Sequence, residues 1–371
     1  MPELLPAELA ELRDRVDALA AEVLVRFRDR AQAGEDVAAD VRSASKAAGI
    51  FPMTQPVDHG GTAAPALALV VVRDTLAGHD VGQLPGIFGP DPGLLAGVGE
   101  PLRSRFLVPL LAGEKRSGFG FTEPADARRH TYAVADGDEL IVTGRKSYVT
   151  GGADADFINA LVEVEGSGPA MVLIETSARG VRLERRFESI DGSHHAAFAF
   201  DEVRVPRAHV VGKPGRGTAR AMGQINQVRL SIAANCVGLS RYVVAVVDDR
   251  LRSAGRSGEL RGASERARLA YGDMRLRTYV ARSALYRTAR LVDAGANPIN
   301  EVAAAKVFTT ETIAAVVDAA IQLVGGEALV EGHPLESILR RVRVLRLAEG
   351  ESDLLRTNIA RGRLDLDAGR L

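Results

Sequence analysis

The spacing of apolar residues changes twice along the 371-residue chain, and this limits the possible folds more than any other feature. From Leu4 to about Gly113, apolar residues recur at three- and four-residue steps, which indicates amphipathic helices. Beyond Ser117, short apolar or alternating runs separated by turn residues are typical of strands joined by hairpins. Helical periodicity returns at Thr218. This order excludes a doubly wound fold, in which strands and helices alternate.

Glycine and proline residues delimit the individual elements. The first zone contains predicted helices over Ala66–Leu76 and Leu102–Leu111, the second kinked by Pro109 and ended by Gly113. The predicted strands are Ala133–Val134, Leu140–Val142, Phe157–Val164, Ala170–Ile174 and Ala197–Val205, and the later predicted helices cover 218–253, 263–293, 299–324, 334–347 and 351–367. We therefore expect an α+β, mostly α fold with a helical domain (1–113), a middle antiparallel β domain (114–213) and a C-terminal helical bundle (214–371).

Charge and cysteine content exclude several classes of protein. The chain has 47 Lys and Arg against 48 Asp and Glu, which is not the basic excess of a nucleic-acid or membrane-surface protein. Because charges interrupt the long apolar runs and the N-terminal segment is acidic, we expect neither a membrane span nor a signal peptide. Cys236 is the only cysteine, which agrees with a reducing cytoplasm.

Three short motifs give no support for other chemistry. Gly118–Gly120 lacks the third glycine of a dinucleotide fingerprint, and Gly212–Gly217 lacks a phosphate-binding lysine in the right place. His194 and His195 are adjacent, and in a strand the side chains of adjacent residues point to opposite faces, so these two cannot bind one metal ion. We expect no metal site.

Five segments carry a more specific signal, and they occur in order along nearly the whole chain. They are GFGFTEPADARRH, GRKSYVTGGADAD, AFAFDEVRVPRAHVVG, AAAKVFTTETIAAVVDAAIQLVGG and RRVRVLRLAEGESDLLRTNIAR. Together they resemble the acyl-CoA dehydrogenase family. The resemblance implies a middle β-barrel or sandwich, a C-terminal four-helix bundle and FAD as the cofactor. It also implies a homodimer or homotetramer, because the adenine end of the flavin reaches a second subunit.

The resemblance makes Glu349 the catalytic base, since Pro334 precedes it by the family's interval. Dehydrogenation across Cα–Cβ of an acyl thioester removes a weakly acidic Cα proton while a hydride passes from Cβ to flavin N5. A carboxylate can be that base if a water-poor pocket raises its pKa, and Leu347 and Ala348 supply apolar neighbours. Taken alone, Glu349 could equally be a surface residue paired with nearby arginines.

Two groups of residues are implied to bind FAD. The first surrounds the isoalloxazine ring, with hydroxyl groups at two threonines and a stacking tyrosine, and consists of Phe121, Thr122, Tyr148, Val149 and Thr150. The second binds the partner subunit's flavin and consists of Arg256, Gln322, Gly325 and Gly326. Without the resemblance, the threonines would be ordinary strand residues and the two glycines a helix end.

Asn226, Arg229 and Gly350 are implied to contact the substrate, with Gly350 leaving room for close backbone approach. Departures from the family pattern fall mostly on the positions that contact the thioester carrier and phosphate groups. They include Arg128 in place of a serine, Asp191 in place of an arginine, Asn226 in place of an aspartate, Ala348 in place of a tyrosine, and an eroded partner-flavin motif at 254–258. The carrier could therefore be CoA or an acyl carrier protein of a biosynthetic pathway.

Two other functions are compatible with the same residues. One is a catalytically silent partner subunit of a flavoprotein dehydrogenase, which the eroded motif favours and the Glu349–Gly350 pair opposes. The other is a flavin oxidase or monooxygenase on the same scaffold, because one fold hosts several chemistries. For a dehydrogenase, an electron-transfer flavoprotein is a possible electron acceptor.

Overall fold

The computed structural model describes residues 4–255, 258–367 and 371. Within them the chain forms two compact units. The helical unit draws on Met1–Met53, Ala63–Phe88 and Asn226–Leu371, and the sheet unit on Thr54–Thr62 and Gly89–Ile225. The domain boundaries expected from the sequence, near residues 113 and 213, stay a prediction.

The described residues contain ten α-helices and eight strands. The helices are α1 (Ala7–Leu19), α2 (Val25–Gln32), α3 (Ala38–Ala47), α4 (Ala66–Ala77), α5 (Val108–Ala112), α6 (Gly217–Arg252), α7 (Glu265–Asp293), α8 (Ile299–Val324), α9 (Pro334–Leu345) and α10 (Ser352–Leu364). The strands are β1 (Ser117–Gly120), β2 (Tyr132–Asp136), β3 (Glu139–Thr150), β4 (Phe157–Val164), β5 (Gly168–Glu175), β6 (Val181–Glu188), β7 (His194–Pro206) and β8 (Val210–Val211). A π-helical stretch, Ala20–Leu24, joins α1 to α2.

Local sequence explains where the long helices begin and end. Helix α7 starts after Ser264, whose hydroxyl accepts a hydrogen bond from the Ala267 N–H. Helix α9 has Pro334 in its first turn, where the missing N–H costs nothing. Helix α8 ends at Gly325, which has a φ of 92°. The glycine at position 325 is the reason that the helix predicted over 299–324 ends where α8 ends.

The predicted helix around Pro109 is present, since the chain is helical without a break over residues 102–112. Its first part, Arg103–Leu107, is π-helical, and Pro109 lies in the first turn of the α-helical part, α5. Gly113 ends α5 with a φ of 77°, as predicted.

A buried carboxylate joins three helices of the helical unit. Asp74 on α4 is fully buried and accepts hydrogen bonds from Arg241 on α6 (2.9 Å), Arg282 on α7 (2.9 Å) and Tyr286 on α7 (2.8 Å). Around this network the helices bury mostly alanine, valine and leucine side chains. Removing one partner of such a buried ion pair leaves an uncompensated charge, which typically costs about 3–5 kcal/mol.

Helices α6 and α8 are long and apolar enough to cross a membrane by length and composition alone. Charged residues do lie within both helices, but they do not keep the apolar windows below membrane-spanning length, so that part of the sequence-based expectation is wrong. About half of each apolar window is buried inside the structure, as in the core helices of a compact protein. The expectation of no membrane association stays a prediction.

The sheet unit contains a mixed sheet in the order β6-β7-β3-β2-β4-β5-β8, with β1 paired to β4. Most neighbours are antiparallel, as expected, but β1–β4 and β2–β4 are parallel. Strand β4 matches its predicted range, whereas β1 and β6 were not predicted. Apolar periodicity does not predict strand β6, because the strand lies at the sheet edge and its sequence, VRLERRFE, is mostly charged.

Strand β3 has a β-bulge near its end. Lys146 pairs with Phe198 and Val149 pairs with Ala196, so β3 has one more residue than β7 over this stretch. The extra length is accommodated at Tyr148, whose φ is 53° and whose side chain is 63 % exposed. The bulge turns the tyrosine ring away from the sheet core.

Candidate active site

Glu349 lies in the short turn between α9 and α10. Its φ is 52°, a left-handed conformation that is rare for a long side chain, and Gly350 follows with a φ of 99°. The Leu347 and Ala348 N–H groups both donate to the Val344 carbonyl and end α9. The carboxyl group that follows is half-buried.

Arg229 on α6 holds the backbone of this turn. Its side chain is 5 % exposed, and its Nε donates to the Glu349 carbonyl oxygen over 2.8 Å. Its Nη1 donates to the Oδ1 of Asn226, one turn earlier on α6, over 3.0 Å. Arg229, Asn226 and Glu349, which the sequence assigned to substrate binding and catalysis, are therefore brought together.

Lys306 on α8 makes a second contact to the same turn. It is fully buried, and its Nζ donates to the Gly350 carbonyl over 2.7 Å and to the Arg346 carbonyl over 3.4 Å. Burial, followed by the nearby Arg229 charge, lowers the pKa of Lys306 to about 8. Two cations thus bind consecutive carbonyl groups, those of Glu349 and Gly350.

These charges determine the acidity of the candidate base. Burial raises the pKa of Glu349, and the positive charges of Arg229 and Lys306 partly offset this increase. A carboxyl in this environment is a stronger base than one in water, yet the two cations keep its ionised form accessible.

Gly350 is required by both conformation and space. A Cβ atom at this position would lie 3.2 Å from Arg229 Nη2 and 3.2 Å from Leu355 Cδ2. Its φ of 99° also lies where side chains are rarely found. Arg229 and Leu355 thus limit the space beside Gly350, and its contact with the substrate stays a prediction.

In the sheet unit, the two segments proposed for flavin binding are adjacent. The Ser147 N–H on β3 donates to the Thr122 carbonyl over 2.9 Å. Lys146 donates to Glu123 over 2.7 Å. Although burial acts to raise the pKa of Glu123, hydrogen bonds from Lys146, the Thr131 N–H and His130 lower it to about 2.

This arrangement leaves an exposed face with an aromatic ring and two hydroxyl groups. Thr122, Tyr148 and Thr150 are exposed, and the Tyr148 ring packs edge-on against Phe187 at 5.2 Å. The Val149 side chain is buried in the sheet core, so only its backbone can contact a ligand. Phe121 is half-buried and stacks on Phe119 at 5.9 Å.

The residues expected to bind the partner subunit's flavin are not part of the Glu349 cluster. Gln322, Gly325 and Gly326 are exposed at the C-terminal end of α8. Gly325 is 19 residues beyond Lys306, about 28 Å along a helix axis. Arg256 lies outside the described residues.

Several known proteins are similar in sequence to this chain. The sequence model described as acyl-CoA dehydrogenase, C-terminal domain, matches residues 215–364. A mitochondrial isobutyryl-CoA dehydrogenase of Dictyostelium discoideum is 28 % identical over 319 residues, covering 82 % of this chain and 76 % of the relative. Residues 215–364 thus match the acyl-CoA dehydrogenase C-terminal domain, and the resemblance to this family that the sequence motifs indicated is confirmed.

Solved structures with low sequence identity to this chain have the same fold. A putative acyl-CoA dehydrogenase from Mycobacterium abscessus superposes with a TM-score of 0.86 at 24 % identity, covering 99 % of this chain and 100 % of that one. A structure of PigA with FAD and proline superposes with a TM-score of 0.84 at 19 % identity, covering 99 % and 100 %. The fold class predicted from the sequence is confirmed.

The sequence analysis did not single out two residues, Lys306 and His195, as functional candidates. Lys306 has a recognisable signal, because it is a single lysine in the apolar run AAAKVF. His195 was considered only as half of a metal-binding pair. In the structure His194 contacts Glu188, whereas His195 contacts Thr150 and Ser193.

Proposed function

We propose that the chain catalyses the FAD-dependent α,β-dehydrogenation of an acyl thioester, with Glu349 as the base that abstracts the Cα proton. The observation that carries this proposal is the turn that holds Glu349. Glu349 is half-buried and has a left-handed backbone conformation, while Arg229 binds its own carbonyl group and Lys306 binds that of Gly350. Strained residues held in this way are concentrated at active sites.

The proposed reaction balances as one proton and one hydride removed from the substrate. The Cα–H electron pair forms the new double bond, the proton ends on the Glu349 carboxylate, and the hydride leaves Cβ. Because burial raises the pKa of Glu349, the carboxylate is a stronger base for a weakly acidic Cα–H.

Negative charge develops on the thioester oxygen as the proton leaves. In the described part of the chain, the Glu349 N–H donates to no backbone carbonyl. This N–H could donate to the thioester oxygen. A donor in such a position typically contributes about 2.7–4 kcal/mol to transition-state stabilisation.

The exposed face of the sheet unit fits a flavin ring. Tyr148 offers an aromatic surface, Thr122 and Thr150 offer hydroxyl groups, and the bulge in β3 turns the tyrosine outward. Phe121 and the Val149 backbone would complete this site. FAD, when bound, supplies the hydride acceptor, and the PigA structure with FAD supports this assignment.

Gln322, Gly325 and Gly326 would bind the flavin of a partner subunit. Gln322 is about 24 Å and Gly325 about 28 Å from Lys306 along the axis of α8, which supports a role separate from the base. A Cβ atom added at Gly325 or Gly326 would have no atom within 4 Å, so there is open space beside this helix end. Arg256 is proposed for the same role, and a homodimer or homotetramer follows from it.

The finer assignments rest on the sequence. We propose an acyl-CoA or an acyl-carrier-protein thioester as substrate, with the departures at Arg128, Asp191 and Asn226 favouring the carrier protein. An electron-transfer flavoprotein is the proposed electron acceptor, and the proposed location is the cytoplasm. The domain boundaries near residues 113 and 213 belong to the same proposal.

The base is tested by Glu349→Gln with Glu351→Gln as the matched control, because Glu351 is an exposed glutamate two residues away. During anaerobic titration with acyl thioesters, we expect flavin reduction by Glu349→Gln to be about 10²- to 10⁴-fold slower than in the parent. The control should reduce at the parent rate. Equal rates for parent and Glu349→Gln would contradict the proposed mechanism.

The carrier is tested with one acyl chain attached either to CoA or to an acyl carrier protein. Faster turnover of the CoA form would contradict the carrier-protein assignment. Purified protein without bound FAD would favour the silent partner subunit. Peroxide formation in air without an electron-transfer flavoprotein would favour the oxidase.

A further inference from the structure

Four side chains of the sheet unit form a continuous hydrogen-bonded chain that ends at Thr150. Ser193 Oγ donates to Asp191 Oδ1 over 2.7 Å, and the Ser193 N–H donates to the same oxygen over 3.2 Å. His195 Nε2 lies 3.1 Å from Ser193 Oγ, and His195 Nδ1 lies 3.3 Å from Thr150 Oγ1. We refer to Asp191, Ser193, His195 and Thr150 as the hydroxyl relay.

The sheet register positions the relay. Thr150 and His195 are directly opposite each other in the β3–β7 pair, and Phe187 on β6 is opposite His195. The His195 and Phe187 rings stack with centroids 5.5 Å apart, which limits rotation of the imidazole. Asp191 and Ser193 belong to a tight turn in which the Ser189 N–H donates to the Ser193 carbonyl.

The chemistry of these groups sets the direction of each hydrogen bond. An ionised carboxylate only accepts, so the single hydroxyl hydrogen of Ser193 points at Asp191. His195 Nε2 then faces a lone pair of the serine oxygen and must carry the hydrogen. In a neutral imidazole the other nitrogen, Nδ1, is an acceptor, and the Thr150 hydroxyl donates to it.

The charge state of His195 agrees with this direction. Burial lowers the pKa of His195, which favours the neutral ring. The charge of Asp191 raises this pKa, and His194 lowers it. A neutral ring with Nε2–H is the tautomer that the serine contact requires.

We infer that the hydroxyl relay turns the Thr150 hydrogen toward His195, so that Thr150 presents an oxygen lone pair to a ligand on the exposed face of the sheet. This inference rests on the proposed function in one respect, that the ligand is FAD. Two-electron reduction adds an N–H to the isoalloxazine at N5, which has only a lone pair in the oxidised ring. If that edge of the ring meets Thr150, an acceptor favours the reduced form over the oxidised form.

His195 is thus a positioning residue that acts through Thr150. The relay would raise the reduction potential of the bound flavin and assist the uptake of a hydride from the substrate. Nothing in this role requires His195 to contact the substrate.

The first test measures the tautomer of His195 in the folded protein by ¹⁵N NMR of imidazole nitrogens, with His195→Gln used to assign its signals. We expect the Nε2–H tautomer in the parent. In Ser193→Ala the preference for the Nε2–H tautomer should weaken, because the serine hydroxyl that accepts this hydrogen is removed. An Nδ1–H tautomer in the parent would overturn the inference whether or not the protein binds FAD.

The second test measures the reduction potential of FAD bound to His195→Leu, with His194→Leu as the matched control. The His194 side chain contacts Glu188 instead of Thr150. We expect the preference for reduced over oxidised flavin to fall about tenfold in His195→Leu, which is about 30 mV for a two-electron couple. An unchanged potential would overturn the role of the relay toward flavin.

Ser193→Ala provides the same measurement if His195→Leu does not fold, and a lower potential is again expected. If the protein retains no FAD, the proposed function fails and so does the flavin part of this inference. The tautomer measurement then decides the direction of the relay by itself.

Discussion

Glu349 in the helical unit and Tyr148 in the sheet unit have almost the same unusual backbone conformation, with φ values of 52° and 53°. They are held there by different means. Side chains of Arg229 and Lys306 bind the carbonyl groups around Glu349, whereas the backbone pairing of β3 with β7 creates the bulge at Tyr148. A conformation held by two side chains can be lost through one substitution, and a conformation held by a strand ladder is less sensitive to side-chain changes.

The largest effect predicted from this comparison is that of Lys306→Met. Because the Gly350 carbonyl loses its buried donor, the Glu349 carboxyl should shift, and we expect kcat to fall about 100-fold with little change in KM. Steady-state kinetics with one acyl thioester checks this. Lys213→Met, which changes an exposed lysine, is the control and should keep the parent kcat.

Lys306→Gln separates the hydrogen bond from the charge, because its amide N–H₂ can still donate. Partial recovery of kcat relative to Lys306→Met would show that the contact to the turn is important. Parent-level activity in Lys306→Met would mean that Arg229 holds the turn without help, and the comparison between the two regions would fail.

The second prediction concerns pH and stability. The pKa of Lys306 is about 8 in the folded protein and lies below its ordinary value of 10.5, so the unfolded chain binds more protons between pH 8 and 10.5. In this window the free energy of unfolding of the parent should rise relative to Lys306→Met by about 1.4 kcal/mol per pH unit. Urea denaturation at several pH values measures the difference. A difference that falls or stays constant with pH would contradict the assignment.

The smallest predicted effect is a difference between two glycine substitutions. Gly350 and Gly151 both have positive φ values, 99° and 66°, but an added Cβ would meet Arg229 and Leu355 only at Gly350. Gly151→Ala should cost about 1 kcal/mol from backbone strain, and Gly350→Ala about 1 kcal/mol more. Urea denaturation of both variants is the measurement. Equal costs would show that the turn at Gly350 can expand.

Periodicity and breaker residues were sufficient for much of the fold. Strand β4 and helix α8 have the predicted ranges because each is a long apolar run between clear breakers. Strand β6 was not predictable, since its charged residues suit an exposed edge and leave no alternating pattern. The parallel pairs β1–β4 and β2–β4 depend on contacts distant in sequence, and no local pattern encodes them.

The sequence analysis could single out those residues of the candidate site whose proposed chemistry follows from their residue type. Arg229 contacts both Glu349 and Asn226, and all three were singled out by the sequence analysis, although their roles stay predictions. The role of Lys306 depends on its burial between helices, and lysine is ordinarily a surface residue. The left-handed conformations of Glu349 and Tyr148 arise from tertiary contacts, so the sequence contains no signal for them.

Helix α8 carries Lys306 near one end and Gln322 near the other, which restricts how the length of this protein can vary. Because an α-helix has 3.6 residues per turn, inserting one residue between them would rotate Gln322 by about 100° relative to Lys306. No nearby side chain could compensate for a rotation of that size. Natural length variation is therefore expected in connections such as residues 294–298, and this helix should resist insertions and deletions throughout its length.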